Sequence, residues 1–290
     1  MTKPHAQFPP ASKPPQTRAP HNACDTHVHL VGAPDDFPLW EGRVENPAHG
    51  ADFDGYLDLY KTHLDTLGFT RGVIVHSILY GGDNSITIET VRRLGAGFRG
   101  VGLLPDDATD ASLDHFVDSN LAAVRLNYVH GGLLSWAGAR AMAPRLADRG
   151  LHIQMLLHSH LHMVEIADDI RAMPVPVVID HLGWPDLTLG TDDPWFQTLL
   201  GLVADGHAYI KLSAPYRMHD DLTRSAPFVA ALATANSERC LWGSDWPHLM
   251  LNGATMPDAS TLLDAFHDTV TNDRDRKTIL SDAPAQLFGL

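Results

Sequence analysis

Residues 23–30 read ACDTHVHL: a short apolar run carrying an acid and two histidines two positions apart, with no glycine-rich loop behind it. Seven further runs of similar length follow, at Gly72–Leu79, Gly100–Leu104, Ala122–Tyr128, His152–Leu157, Val175–Leu182, Ala208–Ser213 and Arg239–Trp246. Most are rich in Val, Ile and Leu and barely alternate, as expected of strands covered on both faces of a parallel sheet. Stripes of helical period lie between them: Leu57, Tyr60, Leu64 and Leu67 ahead of Gly68; Leu113, Phe116 and Val117; Trp195, Phe196, Leu199, Leu200 and Val203 behind Pro194; and Leu262, Leu263 and Phe266. Eight strand–helix units in about 265 residues is the size of a (β/α)8 TIM barrel, an α/β fold. A doubly wound open sheet uses fewer strands and a glycine-rich phosphate loop after the first, which DTHVH at 25–29 is not.

No composition shift divides residues 23–290, so the pattern predicts one barrel domain. The first 22 residues hold six prolines and no apolar segment of signal-peptide type, and read as a flexible or strapped-down arm. The longest non-helical connection, Val31–Phe53, follows the first strand and carries Trp40, which suits a lid over the catalytic end. Apolar residues make up 44% and charged residues 19%, which excludes a disordered chain. The net charge of −14, with no cluster of Lys or Arg, excludes a nucleic-acid partner. No apolar stretch is long enough to span a membrane. Two cysteines, Cys24 and Cys240, make no disulfide framework and suit a reducing, cytoplasmic location. By strand parity both are expected beneath the helices, as small buried hydrophobes.

A barrel builds its active site at the C-terminal ends of its strands. The polar residues there are His27 and His29 on run 1, Ser77 on run 2, and Arg125, Asn127 and Tyr128 on run 4. Later runs supply Gln154, His181, Arg217 just past run 7, and Asp245. His27 and His29, two apart, share a face and project toward the axis. Asp245 ends an apolar strand between two tryptophans, where an unused carboxylate is costly. Of the neighbours Asp180 and His181, strand alternation sends one into the cavity, and His181 is the expected one. Lys211 shares the face of Ser213 and needs an acid partner. His158, His160 and His162 read as an exposed helix start.

Taken together, DTHVH (25–29), DHLG (180–183), GSDWPH (243–248) and the closing ILSDAPAQLF (279–288) resemble the amidohydrolase superfamily. Residues 73–84, VRLN (124–127) and KLSAPYR (211–217) are similar to segments of its lactonase and lactone-isomerase group. Metal-dependent superfamily members place Lys or Glu on strand 4 and His inside strand 5, where this chain has AVRLN and HIQMLLH. The resemblance therefore implies no binuclear centre and no required cofactor. A single Zn²⁺, if bound, would take His27, His29 and Asp245, with His158 as a fourth ligand. It further implies a small-molecule substrate, a carboxylate-bearing lactone of sugar-acid type. Arg125 and Arg217 would grip the carboxylate, and Ser77, Asn127, Tyr128 and Gln154 its other oxygens. His27, His29 and His181 would stabilise the oxyanion while Asp245 acts as general base. The alternatives are a Zn²⁺-dependent decarboxylase of an unsaturated carboxylate on the same barrel and a non-catalytic small-ligand-binding protein.

Overall fold

A computed structural model describes residues 3–129 and 131–290. Eight parallel strands alternate with helices in the order β1 (Cys24–Val28), α1 (Phe53–Leu67), β2 (Arg71–Val75), α2 (Ser85–Leu94), β3 (Phe98–Gly102), α3 (Asp110–Asp118), β4 (Leu121–Asn127) and α4 (Trp136–Ala147). The second half continues with β5 (His152–Leu156), α5 (Ser159–Ala172), β6 (Val177–Ile179), α6 (Pro194–Ala204), β7 (Ala208–Ser213), α7 (Ala226–Asn236), β8 (Cys240–Gly243) and α8 (Ala259–Thr269). Strands pair in sequence order from β1 to β8. The ring closes where the Asp245 amide donates to the His27 carbonyl and the His29 amide to the Trp246 carbonyl, both at 2.8 Å. This is the expected TIM barrel, and each apolar run overlaps one of its strands, β2, β3 and β4 beginning one or two residues ahead of their runs. Run 6 yields only three strand residues, and the strand in run 8 ends at Gly243, three residues before the run does.

Two apolar layers hold the barrel. The larger lies between sheet and helices and takes in Leu57, Tyr60, Leu64 and Leu67 of α1, whose Asp52 caps the N-terminus and whose Gly68 ends it in a left-handed turn. Val117 and Trp195 drop out of their stripes, being 43% and 36% exposed. The smaller layer is the inside of the barrel: Val73, Val75, Val101, Ala123, Val178 and Leu241, closed from below by Ala283 and Phe288 of the C-terminal helix α9 (Ala283–Phe288). Cys24 belongs to this inner layer, not beneath the helices as parity predicts. The β1–β2 register shifts between Asp25 and Val28, and the irregularity turns both Cys24 and His27 inward. Cys240 does lie under a helix, its thiol 3.4 Å from the Leu232 carbonyl of α7.

The proline-rich arm is strapped down. Ala6 donates to the Asn46 carbonyl and Asn46 to that of Pro4, Ser12 meets His63 of α1, and Ala19 bonds to the end of α1. The arm thereby fastens the β1–α1 connection, whose Glu45 in turn accepts from the Met250 amide beyond β8. Among the described residues no helix is long and apolar enough to cross a membrane.

Candidate active site

Barrel closure brings the two ends of the chain to one point. Gly243 makes this possible: a Cβ there would lie 2.6 Å from His27 Cβ and 2.9 Å from its backbone nitrogen. Asp25, buried beneath, accepts from the Ser244 amide at 2.9 Å and faces His63 of α1, so its carboxylate ties β1, β8 and α1 together. Directly after β8 the backbone of Asp245 turns left-handed (φ 63°), which aims its side chain along the cavity floor.

The two oxygens of Asp245 have different surroundings. Oδ2 accepts from Tyr216 Oη at 2.5 Å and from Arg217 Nε at 2.8 Å, with Arg217 Nη2 in ion-pair contact at 2.8 Å. Oδ1 has no hydrogen-bond partner and lies 3.7 Å from His27 Nε2, 3.7 Å from His29 Nε2 and 3.9 Å from His181 Nε2. Burial opposes the charge, but Arg217 and the facing imidazoles outweigh it and hold the Asp245 carboxyl well below its ordinary range. Burial pushes the His29 pKa down against the pull of Asp245, and that of His181 to about 4 against Asp245 and Asp180.

These surroundings fix what the rings can do. His29 Nδ1 meets the Val75 carbonyl at 2.7 Å, so its proton sits on Nδ1 and Nε2 presents a lone pair. A neutral His29 therefore cannot donate to an oxyanion, contrary to the sequence expectation. His181 Nδ1 faces the Ser213 hydroxyl at 2.9 Å, a partner able to give or accept, and its tautomer is free to change. Lone pairs on His29 and Asp245 face each other across 3.7 Å, and His27 Nε2 is buried without a partner. Such a donor set fits one divalent cation, and ligand atoms of His27, His181 and Asp245 all lie within 4.8 Å of one another. His158 is no part of it; it packs with His160, His162 and Trp184 over the partly buried start of α5.

Beneath the rings lies a buried polar layer that strand alternation conceals. His181 and Leu182 adopt left-handed backbone (φ 55° and 58°), so alternation stops at Ile179 and both Asp180 and His181 point inward. Asp180 Oδ1 is 3.3 Å from His27 Nδ1 and 3.7 Å from Lys211 Nζ. It is therefore the acid that Lys211 needs. Lys211 also donates to the Thr26 carbonyl (2.7 Å) and to Gln154 Oε1 (2.8 Å), and burial lowers its pKa to about 8 despite Asp180. A carboxylate behind a candidate metal-binding imidazole orients that ring.

Several expected substrate contacts are used elsewhere. Gln154 lies in this layer, bonded to Lys211 and to Asp180. Ser77 caps the short helical turn Ile78–Tyr80. Tyr128 donates to Glu165 of α5 at 2.8 Å, away from the cavity. Arg217 lines the cavity, but its guanidinium also holds the carbonyls of Leu249 and Met250 and is committed to positioning Asp245. Arg125 and Asn127 remain on the wall as expected. Sequence reasoning passes over Tyr216, although it stands beside Arg217, and over Trp184 and most of the apolar wall, which arrive on loops without a periodic signal.

The chain matches the amidohydrolase family over residues 24–290. It belongs to that family and is an enzyme of it. A 4-sulfomuconolactone hydrolase of Rhizobium radiobacter is 31% identical, the match covering 93% of this chain and 91% of the relative. The 2-pyrone-4,6-dicarboxylate hydrolase of Comamonas testosteroni is 28% identical over 94% of this chain and 92% of its own. Among solved structures, a probable 2-pyrone-4,6-dicarboxylic acid hydrolase from Acinetobacter baumannii with citric acid bound superposes with a TM-score of 0.79 at 23% identity, covering 93% of this chain and 100% of that one.

Proposed function

We propose that the protein opens a carboxylate-bearing lactone by hydrolysis, with Asp245 as proton carrier. The observation that carries this reading is the unpartnered Asp245 Oδ1, 3.7–3.9 Å from three imidazole nitrogens, in a cavity with Arg125 on its wall. The names of the two curated relatives point the same way.

In this reading Arg125 binds the substrate carboxylate and orients the ring carbonyl over the floor. Asp245 Oδ1 takes a proton from water as its oxygen bonds to the carbonyl carbon, while Tyr216 and Arg217 keep the carboxylate from rotating. His181, whose tautomer Ser213 leaves open, donates from Nε2 to the oxygen that becomes negative. The tetrahedral carbon then collapses, its bond to the ring oxygen breaks, and the departing alkoxide receives the proton from Asp245. An acid this strong is a weak base, so the attacking water has to be polarised. That is the chemistry a Zn²⁺ would supply if held by His27, His181 and Asp245, whose ligand atoms stand together in place of the expected set with His29; a bound ion would then replace the His181 donor. If a substrate hydroxyl stands in for water, the same residues interconvert lactones instead.

A lactone panel tests this, with acid release and lactone interconversion followed in parallel, with and without a chelator. Acid release from carboxylated lactones is expected, lost on chelation and regained with Zn²⁺. Interconversion without acid release overturns hydrolysis; failure to open any lactone overturns the proposal. Activity indifferent to chelator in metal-free protein removes the ion from it.

A further inference from the structure

The cavity above Asp245 has a broad apolar side. Trp40, Val44, Ile78, Leu103, Leu156 and Trp184 form an apolar part of its wall. Apart from His29, His181 and Asp245 at its floor, the polar side chains on it are Asn127, Asn252 and two arginines, and among the described residues no lysine lines it. Of the arginines, Arg217 makes a two-nitrogen pair with Asp245 and holds two backbone carbonyls. Arg125 stands differently. One nitrogen, Nη1, donates to the His76 carbonyl, Nε is buried with no partner, and among the described residues no carboxylate lies within 4 Å.

The wall is also built to stay apolar. Trp40 is fixed at its backbone by the Leu79 carbonyl (2.8 Å), and its indole lies against Gly81, where a Cβ would come within 2.7 Å of Cγ. Gly81 sits at φ 57°, a conformation that also resists a side chain. Trp184, from the connection after β6, packs on His158 and the edge of His181.

We infer that the substrate is a lactone with one carboxylate and a mainly apolar remainder, in contrast to the dicarboxylate named for one relative. This rests on the lactonase reading above and deepens it. One anion finds Arg125. A second would lose its hydration against indole and aliphatic surface with no cation to meet it. Asn127 and Asn252 can meet a hydroxyl, but hydroxyl groups set against Trp40, Val44, Leu103 or Leu156 would be buried without partners. A flat or aliphatic remainder gains from contact with Trp40 and Trp184.

The test compares kcat/KM for three probes: a monocarboxylated lactone bearing an alkyl or aryl group, 2-pyrone-4,6-dicarboxylate, and a polyhydroxylated aldarolactone. In parallel, calorimetry measures binding of the ring-opened acids, which does not depend on turnover. The first probe is expected to exceed both others at least tenfold, mainly through KM. Val44→Lys, at a rim position 61% exposed, places a second cation on the wall and is expected to narrow the gap to the dicarboxylate. A dicarboxylated or polyhydroxylated lactone used as well as the apolar one overturns this inference and leaves the lactonase reading standing. If no lactone opens, that reading fails and calorimetry decides the inference: tighter binding of the apolar monocarboxylate upholds it, and equal or tighter binding of the others overturns it.

Discussion

Replacing Asp245 by Asn preserves shape and removes charge, so its consequences can be worked through atom by atom. The amide oxygen takes the place of Oδ2 and still accepts from Tyr216 and from Arg217 Nε. Those bonds fall from charge-assisted to neutral strength, a loss of about 1 kcal/mol each. The amide nitrogen takes the place of Oδ1, among three imidazole nitrogens. At 3.7 Å or more from each of them it is beyond hydrogen-bond reach and returns nothing. The net loss of about 2 kcal/mol corresponds to a fall of about 3–4 °C in Tm for a chain of this length. Turnover should fall by about 10²–10⁴-fold, because the proton carrier is gone. The sign with pH follows from the depressed Asp245 pKa. Its stabilisation is complete above the ordinary carboxylate pKa of about 4 and fades as pH falls below it, so the variant and the parent converge in acid. Thermal melts between pH 3 and 8, with acid release followed in a pH-stat, measure both effects. A variant that melts near the parent yet keeps more than a tenth of its kcat/KM refutes Asp245 as proton carrier. A Tm lowered by tens of degrees refutes the bond-by-bond account.

Arg217→Lys keeps one charge but cannot hold both Asp245 and the carbonyls of Leu249 and Met250. A loss of at least tenfold in kcat with little change in KM is expected, and a change confined to KM would return Arg217 to substrate binding. Gly243→Ala drives a methyl into His27 and should break barrel closure, seen as an insoluble chain or a Tm lower by more than 5 °C; a normal melt and normal turnover would contradict the geometry. Deleting residues 1–12 unfastens the β1–α1 connection, so limited proteolysis should cut within residues 31–52 faster than in the parent, and equal rates would show that the arm restrains nothing. His76 and His152 are held neutral by burial, with pKa values of about 3. Unfolding lets them take up protons below about pH 6.5, so stability falls as pH drops from there toward 3. His152→Leu should flatten that acid limb in pH-dependent melts.

Strand number and order were legible in the sequence because each buried strand must be a continuous apolar run. The convergence of His27, His29, His181 and Asp245 was legible because a closed barrel puts its first and last strands side by side. What failed to show was every feature that depends on broken alternation. A register shift in β1 turned Cys24 inward, and left-handed residues after β6 turned Asp180 inward beside His181. Parity arguments assume a regular strand and miss both. Substrate contacts failed for another reason. Ser77, Tyr128 and Gln154 stand at the expected strand ends, but each has a nearer protein partner, and residue type alone does not reveal which polar group is already satisfied.

That last point ties the catalytic carboxylate to the choice of substrate. A buried Asp245 with one oxygen left open needs its charge balanced from the other side, and Arg217 with Tyr216 does this at Oδ2. The same Arg217 holds two carbonyls of the connection after β8, so reorienting it toward a ligand would release Asp245 and that loop together. A guanidinium so engaged is poorly placed to receive a second substrate anion, although it lines the cavity. Countering another negative charge would therefore require a cation on the wall itself, where Val44, Ile78, Leu103 and Leu156 stand. In the proposed reading, fixing the base in place and limiting the substrate to one carboxylate thus follow from a single arginine.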